Sequence, residues 1–486
     1  MDPNTGFIPG MAGSGLFNGQ ELDGINAQVG DFYKAVTAGY GTDHAGLAGG
    51  AALRRESLEA VLLTTVQKMK HFVFWNECPG SKATATVDEF SIQSAIGGFP
   101  GGAFNTELGD INESSGEYSR QTLLMKYLMT KGRVSVVAEV QSQNGLVDAM
   151  VVEERNRTLE LLTSANWASY FGDAALNAAE FSGLRATLET AGGDQVLDLR
   201  GQPPSAVAKE FIDSAALVWG YGAWGQQTHS FHSPMVGADI DQKLDPAFRV
   251  TINGQSNTIR LGAPVTAINT GYGEIAMRRD PFIQEGQKPF SQRGAEFVAN
   301  VAASTAIAPA SVGGVAAGDA ASQFGTGQAG NYYYGAEGGN LTGRSAFVHS
   351  TVVAVAVGDK VTVTITHGGS DVNTYFQVYR SRRNGTDTHS DFREQRRVVK
   401  SGGSTTVYVD YNQDIPGTSC IFLTTMMEEA ITMRRLLPMT RFPLFPTSRA
   451  EHVWAQLLFC GLRVAKPKQH RVIINVLPGG QPWRPF

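Results

Sequence analysis

Apolar residues first fall into a rhythm at Leu58, Val61, Leu62, Val66 and Met69, which predicts an amphipathic helix from Arg54 to about Lys70. His71-Phe72-Val73-Phe74-Trp75 then reads as a strand. From Ser81 to Glu117 the rhythm is lost among polar residues and glycines, with Gly97-Gly98-Phe99-Pro100-Gly101-Gly102 near its centre. Loops of that length are uncommon inside folded domains and are usually functional. The segment is expected to be mobile alone and ordered by a partner. Strand character shows in Ala83 to Val87, Tyr118 to Leu128 and Arg133 to Val140, the last rich in β-branched residues.

The clearest helix follows. Val147, Met150, Val151, Leu159 and Leu162 recur at helical intervals, with Asp148, Glu153, Glu154, Arg157 and Glu160 elsewhere on the cylinder. The span Leu146 to Asn166 would be roughly 30 Å long at 1.5 Å per residue. A second helix is expected from Ser205, a plausible N-cap after Pro203-Pro204, to Trp219, with Val207, Phe211, Ala215 and Val218 on its apolar face. Phe248 to Ile252 and Thr258 to Leu261 read as strands.

Ala308 to Gly330 reads as a linker of small residues. Short β segments then recur at Asn331 to Ala336, Ser350 to Val357, Lys360 to Thr366, Thr374 to Arg380 and Ser404 to Asp410, with glycine turns between them. That spacing describes a β-sandwich of immunoglobulin or fibronectin type. At the end of the chain, Val453 to Val464 and Arg471 to Leu477 are apolar runs divided by Lys466-Pro467-Lys468-Gln469. They read as strands of one small sheet.

Composition narrows the class only a little. A length of 486 residues suggests about two to four domains. Charged residues are 17% of the chain and hydrophobics 42%, and glycine is abundant at 56 residues. This suits a loop-rich protein that hides surface against neighbours, or an ordinary β-protein. A net charge of −5 argues against a global polyanion binder. Cys78, Cys420 and Cys460 are far apart and form no C-x-x-C, so they read as buried thiols in a reducing compartment. Residues 1–53, rich in glycine, read as an extended arm without the basic and apolar regions of a signal peptide. No run of about 18 apolar residues occurs, so a soluble chain of cytosolic origin is expected.

Candidate chemistry is sparse. His229 and His232, with Asp239 and Asp241 nearby, are the nearest approach to a metal constellation, and the alternative is a polar loop. A zinc site needs three or four ligands in closed geometry, which favours the loop. No phosphate-binding glycine loop and no nucleophile elbow is found. Arg380, Arg382, Arg383, Arg393, Arg396, Arg397 and Lys400 form a basic cluster, either a solvated hairpin or a surface for an acidic partner such as a polysaccharide. The chain is therefore expected to have no catalytic, cofactor-binding or metal-binding residue, and not to be an enzyme.

The closing segment carries a resemblance. Gly461-Leu462-Arg463-Val464-Ala465-Lys466-Pro467 followed by His470-Arg471-Val472-Ile473-Ile474-Asn475-Val476 resembles the ending of tailed-bacteriophage major capsid proteins of the Hong Kong 97 type. An extended loop, a strand pair and one long helix also come in that family's order. The resemblance implies an α+β fold: an HK97-like capsid fold with an N-terminal arm, extended loop, peripheral domain with a long spine helix, and axial domain. An inserted all-β immunoglobulin-like sandwich would interrupt it. The implied boundaries are 1–53 for the arm, 54–225 for the extended loop and first part of the peripheral domain, and 226–306 for the axial domain. The sandwich would take 307–425, and the closing strands and tail 426–486.

The implied role is a virion shell made of pentamers and hexamers around double-stranded DNA. Its partners would be other copies of itself, a portal, a scaffold and cement or decoration proteins, with no sequence-specific DNA binding and no membrane. Synthesis would take place in the host bacterial cytoplasm. Two other readings stay open: a β-rich adhesion or carbohydrate-binding protein that works through the sandwich, and a carbohydrate-active enzyme with an accessory module.

Overall fold

A computed structural model describes residues 68–142, 148–201, 207–248, 265–283, 304–446 and 448–486. The expected arm, most of the helix beginning at Arg54, the proposed cap Ser205 and the strand at Thr258 to Leu261 lie outside the described residues.

The first part of the chain contributes α1 (Val73–Glu77), β1 (Gly80–Lys82), β2 (Val87–Ala95), β3 (Glu117–Leu124), β4 (Lys126–Ser135), α2 (Val136–Ser142) and α3 (Ala149–Phe171). After these come α4 (Leu184–Ala191), β5 (Val196–Asp198), α5 (Val207–Trp219), β6 (His229–His232), α6 (Pro234–Phe248), β7 (Ala267–Thr270) and β8 (Gly273–Arg279). A run of strands follows: β9 (Ser311–Gly318), β10 (Gly330–Tyr332), β11 (Tyr334–Asn340), β12 (Gly343–Arg344), β13 (Val348–His349) and β14 (Val353–Val355). It continues with β15 (Asp359–Thr366), β16 (Tyr375–Ser381), β17 (Phe392–Val399) and β18 (Thr405–Asp410). The chain closes with β19 (Ser419–Thr424), β20 (Ile431–Leu444), β21 (Glu451–Val464) and β22 (Arg471–Val476).

Two sheets and α3 make the main body. A four-stranded sheet runs β1-β20-β21-β4, and a six-stranded mixed sheet runs β5-β22-β19-β6-β8-β7. The two expected closing strands are both present, but they part company: β21 lies in the first sheet and β22 in the second. They do not form one small sheet. Side-chain alternation explains the split. Leu458, Cys460, Leu462 and Val464 of β21 join Val472 and Ile474 of β22 in one core with Leu161, Ala165 and Ala168 of α3. Ile473 points the other way, into a second core with Phe211 and Ala215 of α5 and Val236 and Ile240 of α6. Thus α5 and α6, which the expected boundary at 225 separates, cover one face of the same sheet.

The long helix begins at Ala149, with the Asp148 side chain accepting the Met150 N–H at 2.9 Å. It runs on to Phe171, past the expected end at Asn166. Its contact with β21 uses Leu161, Ala165 and Ala168, whereas Leu159 and Leu162 meet Phe72 and Phe282. Val151, expected on the buried stripe, is exposed.

Several other expectations are corrected. His71 to Trp75 is not a strand: a 3-10 turn at Met69–His71 leads into α1. Phe72 and Phe74, two apart and so on opposite sides of a helical turn, enter different cores, and this imitates strand alternation. Arg133 to Val140 is strand only as far as Ser135, whose Oγ accepts the Ala138 N–H and starts α2. The stretch Ser81 to Glu117 holds the whole of β2, so its irregular parts are 83–86, expected as strand, and 96–116. Phe248 ends helix α6, and the rest of that expected strand is outside the described residues.

The supposed linker from Ala308 to Gly330 contains β9, an eight-residue strand. Small residues let it lie close. A Cβ on Gly314 would meet Val353 at 2.7 Å. The strands from β9 to β18 form a three-stranded sheet (β18-β15-β9), a larger one built on β12-β11-β16-β17 and a short β10-β14 pair, and the two main sheets share a core of Val312, Val361, Val363, Ile365, Tyr334, Phe376 and Val378. These strands make up the two-sheet region. Strand β19, read from sequence as part of it, instead pairs with β22 and β6 in the body.

Candidate self-association surface

The strands β2 and β3 form a ribbon, paired from Val87↔Leu124 to Ala95↔Glu117. It buries little. Asp88, Phe90 and Ile92 are half-buried on β2, and only Leu123 on β3. A two-stranded hairpin is marginally stable by itself in water, so its root matters. Arg434 on β20 grips Asp88 in bidentate fashion, with Nε–Oδ2 and Nη2–Oδ1 both 2.8 Å, and its Nη1 donates to Ser81 Oγ at 2.8 Å. The Arg463 guanidinium lies 5.6 Å from the Phe90 ring centroid. Farther out, Arg120 pairs with Glu89 across the ribbon.

At the far end, residues 96–116 turn back through Gly97, Gly98 and Gly101, at φ 84°, 79° and 95°. A Cβ on Gly97 would sit 2.2 Å from the Ser115 carbonyl oxygen, so the chain closes there only with glycine. Around this turn Ile96, Phe104, Leu108 and Ile111 are 87%, 87%, 98% and 92% exposed, and Phe99 is exposed as well. Monomeric soluble proteins avoid such a concentration of bare apolar side chains. The described residues of its own chain do not cover this tip, which makes it a candidate contact surface.

The basic cluster behaves otherwise. Arg380 is fully buried, bonded through Nη1 to Asp410 at 2.6 Å and through Nη2 to Asn412 at 2.8 Å, and it lies near the rings of Phe324 and Tyr332. Arg382 pairs with Asp391, and Lys400 donates to the Asp371 carbonyl. Arg396 reaches into the body, bridging Glu189 and Asp414 at 2.9 Å each, and Arg185 bonds the same Asp414 at 2.5 Å. Arg397 pairs with Glu180 at 3.0 Å, bonds the Phe171 carbonyl and stacks near Trp167. The two arginines beside Asp414 hold its carboxyl below the usual range, against the effect of burial. Acidic residues of this same chain thus take up much of the cluster, so it is neither a freely solvated hairpin nor an open polysaccharide surface.

His229 and His232 lie on β6, inside the six-stranded sheet rather than in a polar loop. Three apart on a strand, they face opposite sides. His229 is 3.5 Å from Glu77, whereas buried His232 lies beside Arg279 and its pKa is pushed down to about 4, mainly by burial. Asp241 pairs with Arg279, and Asp239 accepts the Gly479 N–H. The four are not brought together. Among the described residues, no group of three or more His, Cys, Asp or Glu could hold a metal ion. Burial pushes Cys78, Cys420 and Cys460 up to about 12, 11 and 12, which leaves them protonated and unreactive near neutral pH. Asp280, raised by burial, accepts from Asn166, Tyr170 and the Phe74 and Phe282 N–H groups, tying β8 to α1 and α3.

The closing motif is a structural knot. Asn475 sits at φ 58°, and its Oδ1 accepts the Ile415 N–H at 2.9 Å. Its Nδ2 donates to Asp198 Oδ1 and to the Gln413 carbonyl, both at 2.6 Å. His470 is wholly buried and meets the Thr425 N–H through Nδ1 at 3.3 Å. Asn475 thus holds β22 to the chain entering β19, and His470 holds the approach to β22 to the chain leaving β19.

The chain's relatives carry capsid names. No family model matches it. A protein of Enterococcus phage phiEF24C, named for a major capsid role, is 24% identical, covering 94% of this chain and 96% of its own length. The major capsid protein of Staphylococcus phage K is 22% identical, covering 92% and 95%. Among solved structures, the capsid of a native GTA particle aligns over 89% of this chain and 99% of its own, at 8% identity and TM-score 0.47. A Gordonia phage Cozz chain aligns over 90% and 96%, at 9% identity and TM-score 0.46.

Sequence reasoning placed an extended segment in the right stretch but missed its apolar tip. The available signal was five large apolar residues, from Ile96 to Ile111, that obey no helical or strand rhythm. The Asp88–Arg434 clamp left no signal, since its partners lie 346 positions apart.

Proposed function

We propose that this chain is the major capsid protein of a tailed bacteriophage. Its copies assemble into pentamers and hexamers and then an icosahedral shell around double-stranded DNA. The reading rests on one observation above all: similarity over more than nine-tenths of the chain to proteins named as phage major capsid proteins. The uncovered tip of the ribbon suits it, because a shell subunit needs apolar surface that only another copy covers. In this reading the ribbon lies over an adjacent subunit, and α3 is the spine of the peripheral domain. The two-sheet region is an inserted sandwich of immunoglobulin or fibronectin type on the shell's outer side. Portal, scaffold and decoration proteins are the further partners, and the chain is made in the host cytoplasm.

Light scattering and negative-stain microscopy of the purified chain test the proposal. Megadalton shells or capsomer rings are expected. A protein that stays monomeric or trimeric at high concentration, with or without a scaffold, would contradict it.

A further inference from the structure

We propose that residues 478–486 form a latch that fixes the two-sheet region in one orientation on the body. The segment leaves β22 at Val476, and the Gly479 N–H is accepted by Asp239 of α6, on the body. It then crosses to the two-sheet region. Trp483 is 7% exposed, and its indole N–H donates to the Asp391 carbonyl at 3.2 Å. The Arg393 guanidinium lies 4.6 Å from its ring centroid. The same ring abuts Gly417, where an added Cβ would fall 2.4 Å from it, and Gly417 lies on the chain crossing from β18 back to β19. Farther on, the Pro485 carbonyl accepts the Arg383 N–H at 2.8 Å, while the Phe486 ring returns to the body beside Gly201. One indole therefore meets both the β16–β17 loop and the crossing strand-to-strand connection.

Among the described residues, much of what else joins the two parts is charged, with Arg397 also stacked near Trp167. The Arg185, Glu189, Asp414, Arg396 and Arg397 pairs surround a cavity of about 510 Å³. Ion pairs around an incompletely filled cavity leave the boundary room to shift, although Asp414 and Arg397 are themselves largely buried. A buried aromatic ring in a fitted socket holds it better, through area and through its polar edge. Trp483 is thus the anchor, beside a charged lattice that bridges the same two parts. The latch is made by this chain's own contacts, whether or not its copies form a capsid.

Hydrogen exchange on the full chain tests the latch. In Trp483→Ala, amides of 382–391 and 411–418 are expected to exchange at least about tenfold faster, while β15 and β22 keep their protection. Trp483→Phe, which keeps a ring in the socket, should stay within about threefold of the parent. Unchanged exchange at 382–391 and 411–418 in the alanine variant overturns the proposal. So does an equal loss across β15 and β22, which would make the tail part of the core. If Trp483→Ala does not fold, a protease site inserted after Leu477 allows the segment to be severed in the folded protein. Faster exchange at the same two stretches then supports the latch, and none refutes it.

Discussion

The ribbon and the two-sheet region both extend from the body, and they are stabilised in opposite ways. The two-sheet region contains its own core, from Val312 to Val378, and buries an arginine–aspartate pair inside it. The ribbon has only its clamped root, and it ends in exposed aliphatic and aromatic side chains. A region that satisfies itself can be inserted, moved or decorated without consulting its neighbours. A region that leaves apolar surface bare depends on something else to cover it. The difference separates a part with its own core from a part whose apolar tip the described residues leave uncovered.

The strongest way to break that contrast is to break the inner pair. Arg380 and Asp410 are both fully buried, and Tyr334 also donates to Asp410 Oδ2, at 2.8 Å. Arg380→Ala leaves a carboxylate without its cation in a sealed core, at a cost of about 3–5 kcal/mol. Protection from hydrogen exchange is expected to collapse in β15 and β18 and to persist in β21 and β22. Arg380→Met combined with Asp410→Leu should recover much of the loss, because it removes both charges. If β21 and β22 lose protection as well in the single variant, the two-sheet region is not self-sufficient.

Acid should attack the body before the two-sheet region. Burial pushes His232 and His470, both in the body, from an ordinary 6.5 down to about 4. Between those values the unfolded chain binds protons that the folded chain refuses, so stability is complete above pH 6.5 and falls as pH drops toward 4. At about 1.4 kcal/mol per unit, each imidazole contributes up to ~3 kcal/mol over that window. Exchange measured at pH 7 and pH 4.5 should show β6 and β22 opening first, and His470→Gln should flatten the dependence. A pH-independent β22 would mean that the imidazole gains a compensating partner in acid.

Legibility from sequence follows how local the cause is. The long helix was readable because its apolar spacing lies within one segment, although Asp148, read as part of its polar face, is its N-cap. The strands Lys360 to Thr366 and Thr374 to Arg380 were readable for the same reason, since alternation is a near-neighbour signal. Phe72 and Phe74 misled because a short helix between two cores repeats like a strand. The two closing strands were found but put in one sheet, since β21 pairs with β20 and β4 while β22 pairs with β19 and β5, a choice that strand alternation does not encode. Arg396 and Arg397 looked like a surface because Glu180 and Glu189 stand more than 200 positions earlier. Asn475 was noticed as part of a motif, although its role, holding the crossing chain at Gln413 and Ile415, needed coordinates.

The smallest expected effect on the subunit is also the sharpest test of the comparison. Ile96, Phe104, Leu108 and Ile111 are already almost fully exposed, so replacing all four with serine removes next to no buried area from the folded chain. Unfolding of the isolated subunit should therefore shift by no more than about 0.5 kcal/mol, as for other surface changes. It should even gain solubility, because a bare apolar patch promotes nonspecific association. Assembly should respond quite differently. Covering these four side chains supplies apolar burial at about 25 cal/mol per Å², and a shell repeats that contact in every subunit, so small losses multiply. Light scattering should then show free subunits or small rings where the parent forms larger particles. The design keeps Gly97 and Gly101, so the turn itself stays intact and a failure of assembly cannot be blamed on its backbone. A variant that melts several kcal/mol lower would mean the tip is packed within its own chain in solution. One that assembles as well as the parent would show that the ribbon's exposed end is not what the subunits recognise in each other.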